Sequence, residues 1–133
     1  MAMRDGKSGR ISVFRGREAK LNSAIFHILA LKGPLAVYDI CKLIKKQKLL
    51  RSKWYSVINR RVRMLERQNY VEKAGTRKTL AGFTVALYQL TSKGYLATLL
   101  NQTDINHLLD YADETTTLEL TAILAKQLDM SVS

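Results

Sequence analysis

The residues with the most distinctive chemistry are cations clustered within positions 52–68. Arg60, Arg63 and Arg67 recur at three- and four-residue spacing, and Lys53 precedes them. At about 100° per residue, side chains with this spacing fall on one face of a helix. Guanidinium groups bind phosphate oxygens and the acceptor atoms of base edges. The pattern therefore predicts a helical face that contacts a polyanion.

The opposite face of the same segment is apolar, which is also typical of an ordinary solvent-exposed amphipathic helix. The lack of compensating acids separates the two interpretations. Glu66 is the only carboxylate within residues 52–68, so ion pairs along the helix cannot neutralise the basic face. We therefore favour an external anion as the partner of this face.

The net charge of +11 and the pI of about 10.0 favour nucleic acid as the partner, ahead of an anionic membrane surface. The charge is unevenly distributed. Residues 1–93 carry 21 Lys and Arg against five acids, a net charge of +16. Residues 94–133 carry Lys126 against six acids, a net charge of −5. The two parts of the chain are therefore expected to have different roles.

Few side chains in the sequence suit catalysis or metal binding. His27, His107 and Cys41 are too dispersed for a metal site, which needs clustered ligands. The sequence has no phosphate-binding loop or nucleophile motif, and carboxylates are sparse in its basic part. We expect no cofactor, no metal and no enzymatic activity, and we expect Cys41 to be a small core residue.

The sequence gives no sign of export or of membrane attachment. A single cysteine rules out an intrachain disulfide and fits a reducing compartment. No apolar run approaches the roughly 20 residues that span a bilayer, and the N-terminus lacks the hydrophobic stretch of a secretory signal. We expect a cytoplasmic, nucleoid-associated protein with no membrane partner.

Apolar residues at helical spacing predict three helices in the first half of the chain. The first covers residues 18–32 and the second covers residues 37–46. A turn at 47–51 leads to the third helix, residues 52–68, which Ser52 is expected to cap. The second and third helices are therefore a helix-turn-helix candidate.

Two stretches that favour β-structure follow the third helix. A strand is predicted at 70–73 and another at 83–90, which is rich in β-branched and aromatic residues. Gly75 and Gly82 begin and end the segment between them. This predicts a hairpin, the wing, at residues 75–82.

Three more helices are predicted after the wing. Thr91-Ser92 is expected to cap the fourth and Thr103-Asp104 the fifth. The last covers about residues 113–128, and its apolar surface is broader than one small core can cover, which predicts a dimerisation surface. The residues of that surface are Leu118, Leu120, Ile123, Leu124 and Leu128.

Two short motifs carry a resemblance to a known family. Leu65-Glu-Arg-Gln-Asn-Tyr-Val71 places Asn69, which tolerates left-handed backbone, at the end of the third helix, and Leu90-Thr-Ser-Lys-Gly94 follows the wing. With this order of elements, about residues 20–100 resemble the winged-helix DNA-binding regulators of the PadR and MarR type. The resemblance implies an α+β, mostly helical fold, a winged helix-turn-helix with a two-stranded wing and additional C-terminal helices.

Composition and charge, together with the resemblance, divide the chain into three expected parts. Residues 1–17, rich in Gly and Arg, are expected to form a flexible basic N-terminal arm, residues 18–100 a winged-helix DNA-binding domain, and residues 101–133 a C-terminal helical dimerisation element. The expected partner is double-stranded DNA, with the third helix in the major groove and the wing on an adjacent groove or the backbone.

Specific residues follow from that placement. Arg61 is expected to pair with a carboxylate or to pack its stem against the core. Trp54 and Tyr55 could stack on bases, but we expect them to pack in the core, because they lie beside Ile58 and aromatic residues at helical spacing are usually structural. The candidate base contacts are Lys53, Ser56, Asn59 and Arg60. The candidate backbone contacts are Lys45, Lys46, Lys48, Arg51, Arg63 and Arg67, with Arg77 and Lys78 on the wing.

Three functions remain open from the sequence. The first is a sequence-preferring transcriptional regulator that acts as a homodimer. The second is an architectural or chromatin-like protein that coats DNA with little preference. The third is a winged helix that binds other proteins in a larger assembly, because the fold alone does not establish DNA binding. The sequence identifies no small-molecule effector.

Overall fold

The computed structural model describes residues 11–132. Within this range, three helices are followed by a two-stranded antiparallel hairpin and three further helices, so the protein is α+β and mostly helical, as predicted. Short 3-10 turns cover Ser12–Phe14 and Lys48–Leu50. The elements are α1 (Ala19–Lys32), α2 (Val37–Lys45), α3 (Tyr55–Arg67), β1 (Val71–Lys78), β2 (Thr84–Leu90), α4 (Ser92–Gln102), α5 (Ile105–Tyr111) and α6 (Glu114–Val132).

The first three helices enclose the core, and each buries one stripe of apolar side chains. The stripes follow the helical repeat, as Ile40 and Ile44 do on α2 and Ile58, Val62 and Leu65 do on α3. The hairpin packs against all three helices and completes the core. The largest fully buried side chains are Leu21, Ile25, Phe26, Leu29, Ile40, Ile44, Ile58, Val62, Leu65 and Val71.

Residues 11–17, which were predicted to belong to the flexible arm, lie before α1, and their apolar side chains pack against the core. Val13 and Phe14 are buried, and the Phe14 ring meets the Phe26 ring edge-on with centroids 4.9 Å apart. The Asn22 side chain donates a 2.8 Å hydrogen bond to the Val13 carbonyl. The prediction of flexibility is therefore wrong for this turn, because burial of two large apolar side chains offsets the entropy lost on ordering. Residues 1–10 of the arm lie outside the described residues.

Helix α3 begins three residues later than predicted. Its cap residue is Trp54, which has extended backbone at φ −81° and ψ 153° and makes no side-chain capping bond. The carbonyl of Trp54 accepts the first helical hydrogen bonds, from Val57 and Ile58 at 3.0 and 3.1 Å. Ser52 is therefore not the cap, and Lys53 precedes the helix.

Asn69 ends α3 in the left-handed conformation that its sequence position predicted. Its φ is +67°, a region that asparagine reaches at lower cost than most residues. The turn is closed by hydrogen bonds from the backbone N–H of Asn69 to Glu66 and from that of Tyr70 to Leu65, at 3.0 and 2.9 Å. This turn directs the chain from α3 into β1.

The wing is a longer ladder with a shorter turn than predicted. β1 pairs with β2 along its length, and the chain reverses at residues 79–83. Gly75, with φ of +134°, lies beside a bulge within β1 and not at the turn, whereas Gly82 lies in the turn with φ of +91°. Leu35 forms a bridge to Tyr88, as a short third edge of the sheet.

Gly94 allows α4 to start close to the end of α3. Its backbone N–H donates to the Thr91 hydroxyl at 3.0 Å, which confirms Thr91 as a capping residue. The backbone N–H of Thr91 in turn donates to the Tyr70 carbonyl at 3.0 Å. A Cβ on residue 94 would overlap that same carbonyl oxygen. The close approach therefore requires glycine.

Aspartates cap the two helices that follow α4. Asp104 accepts hydrogen bonds from the backbone N–H groups of Asn106 and His107 at 3.0 and 3.4 Å, as predicted for a cap. Asp113 accepts from the Thr116 backbone N–H at 2.8 Å. This bond and a second from the Thr116 side chain hold the pKa of Asp113 below its ordinary value.

By their contacts, the described residues divide into two compact units, with the boundary after Asn101. The core lies in the first unit. In the second unit, none of residues 102–128 is buried, although α6 carries many large apolar side chains. None of the described helices is both long enough and apolar enough to cross a membrane.

We predict that Gly94→Ala destabilises the protein by about 1–3 kcal/mol, because the new methyl group would displace the Tyr70 carbonyl. Helix propensity alone would give the opposite sign, with alanine favoured by about 1 kcal/mol. Urea denaturation followed by circular dichroism measures the difference. Ser92→Ala, at an exposed position of the same first turn, is the control and should change stability by less than about 0.5 kcal/mol. A stabilised Gly94→Ala variant would contradict the close contact.

Candidate nucleic-acid interface

Four polar side chains form an exposed stripe along α3. Ser56, Arg60, Arg63 and Arg67 are all exposed and lie within about 60° of one another around the helix axis, at 100° per residue. Their mean direction is opposite that of the stripe buried in the core. We call these four residues the α3 stripe. Burial of one side of the helix therefore turns the other side, with three guanidinium groups, toward solvent.

Few carboxylates lie near the α3 stripe in sequence, and Asp39 on α2, which lines a groove together with Arg63, is paired with Arg77. Residues 40–65 contain no Asp or Glu, and Glu66, at the end of the helix, is half-buried. A 13-residue helix is about 20 Å long and about 10–12 Å wide with its side chains. The major groove of B-DNA is about 12 Å wide. The helix therefore has the size and charge to enter that groove.

The predicted backbone contacts outside α3 cluster on the chain that leads to its first residue. Lys45 ends α2, and Lys46, Lys48 and Arg51 follow on the connector; all four are exposed. Lys53, predicted as a base contact, is half-buried and lies before the helix. The structure thus places a group of cations before the N-terminal end of α3.

A groove of about 600 Å³ is lined by residues of α2, α3 and the hairpin. Asn59 is half-buried and lines this groove together with Tyr55, so it lies on the flank of α3 and not on the α3 stripe. Arg63 belongs to the stripe and also lines the groove. The predicted base contacts are therefore divided between two surfaces of the helix.

Arg77, predicted as a wing contact, is paired within the protein. Its Nη2 lies 2.7 Å from Oδ2 of Asp39 on α2, and both side chains are partly exposed. The ion pair joins β1 to α2 across 38 positions of sequence. Lys78 is exposed at the end of β1. The two wing cations thus have different surroundings.

The structure contradicts the prediction that two aromatic residues pack in the core. Trp54 is 74% exposed and Tyr55 is 47% exposed. The prediction assumed that the helix begins at position 52. In a helix that includes residue 54, the Trp54 side chain would lie on the same side as the buried residues of α3. Because the helix begins at Tyr55, the repeat does not apply to Trp54.

Two residues that line the groove were not singled out from the sequence. Tyr38 and Lys42 lie four positions apart on the exposed side of α2, and the Lys42 Nζ is 5.3 Å from the centre of the Tyr38 ring. The signal that could have identified them is their spacing, opposite Ile40 and Ile44 on the same helix.

Two other cations near α3 have partners within the protein. Arg61 lies 3.9 Å from the Glu18 carboxylate, which confirms its expected pairing. Lys93 donates a 2.9 Å hydrogen bond to the Gln68 carbonyl and lies 4.4 Å from the centre of the Tyr70 ring. Arg61 therefore joins α3 to the segment before α1, and Lys93 contacts both ends of the short loop between α3 and β1.

Among residues 11–132 we find no group of three or more His, Cys, Asp or Glu side chains arranged to hold a metal ion. Cys41 is buried beside Ile40 on α2, as expected of a small core residue. His27 and His107 are both exposed.

No protein-family model and no curated protein matches this sequence. Solved structures do. The diamide-treated YodB of B. subtilis has a TM-score of 0.51 and 20% identity, covering 85% of this chain and 94% of YodB. PadR of Bacillus subtilis, in complex with operator DNA, has a TM-score of 0.51 and 22% identity, covering 84% of this chain and 68% of PadR.

The transcriptional regulator SlyA has a TM-score of 0.50 and 14% identity, covering 98% of this chain and 87% of SlyA. At these identities the likeness establishes the fold. The protein has the winged-helix fold, as its sequence predicted, with β1, β2 and their turn as the wing.

We predict that the coupling energy between Asp39 and Arg77 is about 0.5 kcal/mol, and in any case below about 1 kcal/mol. The value is small because both side chains are partly exposed to solvent. A double-mutant cycle of Asp39→Ala and Arg77→Ala, followed by urea denaturation, measures it. The coupling should shrink in 1 M NaCl through screening. Additive effects of the two substitutions at low salt would show that the pair does not form in solution.

Proposed function

We propose that the protein is a sequence-preferring, double-stranded DNA-binding transcriptional regulator that acts as a homodimer. The observation that carries the proposal is the α3 stripe, on the exposed side of the third helix of a winged helix, whose three guanidinium groups form no ion pair within the described residues. A solvated face would be expected to mix both signs of charge. A polyanionic duplex supplies the missing negative charge.

In the proposed complex, α3 lies in the major groove with its N-terminal half nearest the bases. Arg60, exposed on the α3 stripe, binds the acceptor atoms of guanine, and Ser56 lies one turn nearer the N-terminus on the same side. Asn59, on the flank toward the wing, reads adenine. Lys53 approaches from the chain before the helix.

The remaining cations hold the phosphate backbone in this proposal. Arg63 and Arg67 lie further along the α3 stripe. Lys78 reaches the phosphate backbone or the adjacent groove from the wing. Arg77 contacts the same part of the DNA while it keeps its ion pair with Asp39. The connector contributes Lys45, Lys46, Lys48 and Arg51, all of them exposed. Such contacts fix register and carry no sequence information directly.

The compared structures support the regulatory part of the proposal. PadR of Bacillus subtilis was solved in complex with operator DNA, and SlyA is described as a transcriptional regulator. Both share the fold and neither is close in sequence to this chain. The proposal for this protein therefore depends on its own charge distribution.

The second unit supports assembly into a homodimer. α6 has 19 residues, and between positions 114 and 128 its large apolar side chains are exposed, each between 38% and 65% accessible. A helix gains most of its stability by packing an apolar face, and residues 102–128 contain no buried side chain. A second copy would cover these apolar side chains, and the symmetry of the dimer would place its half-sites on DNA about 34 Å apart, or a multiple of it. The residues proposed for the interface are Leu118, Leu120, Ile123, Leu124 and Leu128.

The same charge also suits an architectural protein that coats DNA with little preference. Competition between a selected duplex and random DNA at fixed salt distinguishes the two. A specific regulator should bind the selected duplex about 10³-fold or more tightly, whereas a coating protein should bind both almost equally.

We predict different effects for two arginines of the α3 stripe. Arg63→Ala should weaken binding to all duplexes similarly and lower the salt slope of log K by about one phosphate contact. Arg60→Ala should cost about 1–3 kcal/mol on the preferred duplex and relax preference at one base pair. Fluorescence anisotropy titrations at several salt concentrations, with in vitro selection for each variant, measure both.

Lys126→Ala is the matched control for these substitutions, because it removes the same charge from the acidic second unit. It should leave affinity and salt slope unchanged. An unaltered selected motif with Arg60→Ala refutes its role at a base. If Arg60→Glu and Arg63→Glu together leave DNA binding unchanged, a winged helix that binds proteins becomes the better explanation.

We predict that Leu124→Asp raises the dissociation constant of the dimer by at least about tenfold, because a buried unpaired carboxylate is costly. Sedimentation velocity at micromolar protein measures the shift. Lys126→Asp introduces the same residue two positions on, about 200° around the helix, and should remain dimeric. A monomeric wild-type protein, with and without DNA, would contradict the homodimer.

A further inference from the structure

The only tryptophan of the chain is one of its most exposed large apolar side chains. Trp54 is 74% accessible, although tryptophan is usually well buried. Its backbone is fixed, because its carbonyl accepts hydrogen bonds from Val57 and Ile58 in the first turn of α3. The structure therefore holds an indole at the N-terminal end of the helix, in contact with solvent.

The surroundings of Trp54 favour a polyanion as the molecule that covers it. Lys53 precedes it directly, Arg51 and Lys48 lie on the same connector, and residues 40–65 contain no acid. Leu49, 77% exposed, lies on this connector as well. An apolar surface surrounded by uncompensated cations fits poorly against a second copy of the same basic unit, because like charges would be brought together.

We infer that Trp54 is an apolar base-reading residue that packs against a thymine C5-methyl group in the major groove of duplex DNA, an inference that rests on the proposed function. Thymine methyls are the apolar groups that the base pairs present in that groove. An indole offers a large, rigid surface for such contact at low conformational cost. Its position at the start of α3 lies in the half of the helix proposed to approach the bases.

Packing on a methyl group is favoured over insertion between base pairs. Apolar side chains that open base steps generally enter from the minor groove, whereas α3 is proposed to lie in the major groove. Trp54 would supply an apolar contact to a base, which the cations of the interface cannot make. Arg60 and Lys53 read hydrogen-bond acceptors, and Trp54 distinguishes thymine from cytosine by a methyl group.

The test uses the intact protein and a duplex of about 20 base pairs selected in vitro with the wild type. Because the chain has one tryptophan, its fluorescence reports on this residue alone. Acrylamide should quench the emission of the free protein efficiently and that of the DNA complex at least about threefold less, since the contact removes the indole from solvent.

A protein–DNA cycle then tests the methyl group directly. Each thymine of the duplex is replaced in turn by deoxyuridine, which lacks only the C5-methyl. The wild type should lose about fourfold in affinity at one position, the effect of one buried methyl-sized group. Trp54→Ala should bind the original duplex more weakly and show no further loss at that position, whereas Trp54→Phe should keep part of the sensitivity.

Leu31→Ala on α1, 69% exposed in the wild type, is the matched control and should keep both affinity and sensitivity to deoxyuridine. Circular dichroism should show that Trp54→Ala folds like the wild type, because the exposed indole contributes little to the packing of the core. Trp54→Phe tests the same contact with a smaller change of the surface.

The failures are distinguishable. If the wild type binds DNA while acrylamide quenching is unchanged, or if Trp54→Ala keeps the full deoxyuridine effect, the inference is wrong and the proposed function stands. If quenching falls with protein concentration in the absence of DNA, Trp54 is covered by a second copy and the inference is overturned. If the wild type binds no duplex even at low salt, the proposed function fails and the inference fails with it.

Discussion

The burial of one apolar stripe of α3 is the interaction on which the rest of the structure depends. Ile58, Val62 and Leu65 are fully buried between the hairpin and the first two helices. A rigid helix with one side fixed has its other side fixed too, so this burial alone orients Arg60 and Arg63 toward solvent. The exposure of the guanidinium groups is a consequence of core packing. Burial of each large apolar side chain stabilises the fold by about 1.5–3 kcal/mol, and the same burial holds the arginines in place.

The two ends of the wing are held by contacts of different kinds. At its base, Asn69 has left-handed backbone and turns the chain into β1. The Tyr70 carbonyl accepts a hydrogen bond from the backbone N–H of Thr91. Residue 94 must be glycine, because a Cβ there would overlap this carbonyl. Further along, Arg77 pairs with Asp39 on α2. The base is rigid because backbone groups meet directly. The ion pair is partly exposed and screened by solvent, so it guides the wing more weakly.

Much of the fold was predictable because its signals are local. Helical repeats identified α1, α2 and most of α3, and the polar residues that begin α4 and α5 identified their caps. The left-handed backbone of Asn69 was predicted from a short motif, and its φ has the sign that the motif requires. The predictions that were wrong lie at the ends of patterns. The repeat was extended through Trp54 into a residue that precedes the helix, and the Gly-rich composition before α1 hid two apolar residues that belong to the core.

The sequence by itself determined the pattern of apolar residues, the separation of a basic part from an acidic part, and the cations available to an interface, because each depends only on which residues are neighbours along the chain. The tertiary structure decided where α3 begins, that Asn59 lies in a groove beside the wing, that Arg77 is paired with Asp39, and that Trp54 is exposed. These features depend on residues far apart in sequence, whose approach is set by how the helices and the hairpin pack, and no local repeat encodes that packing.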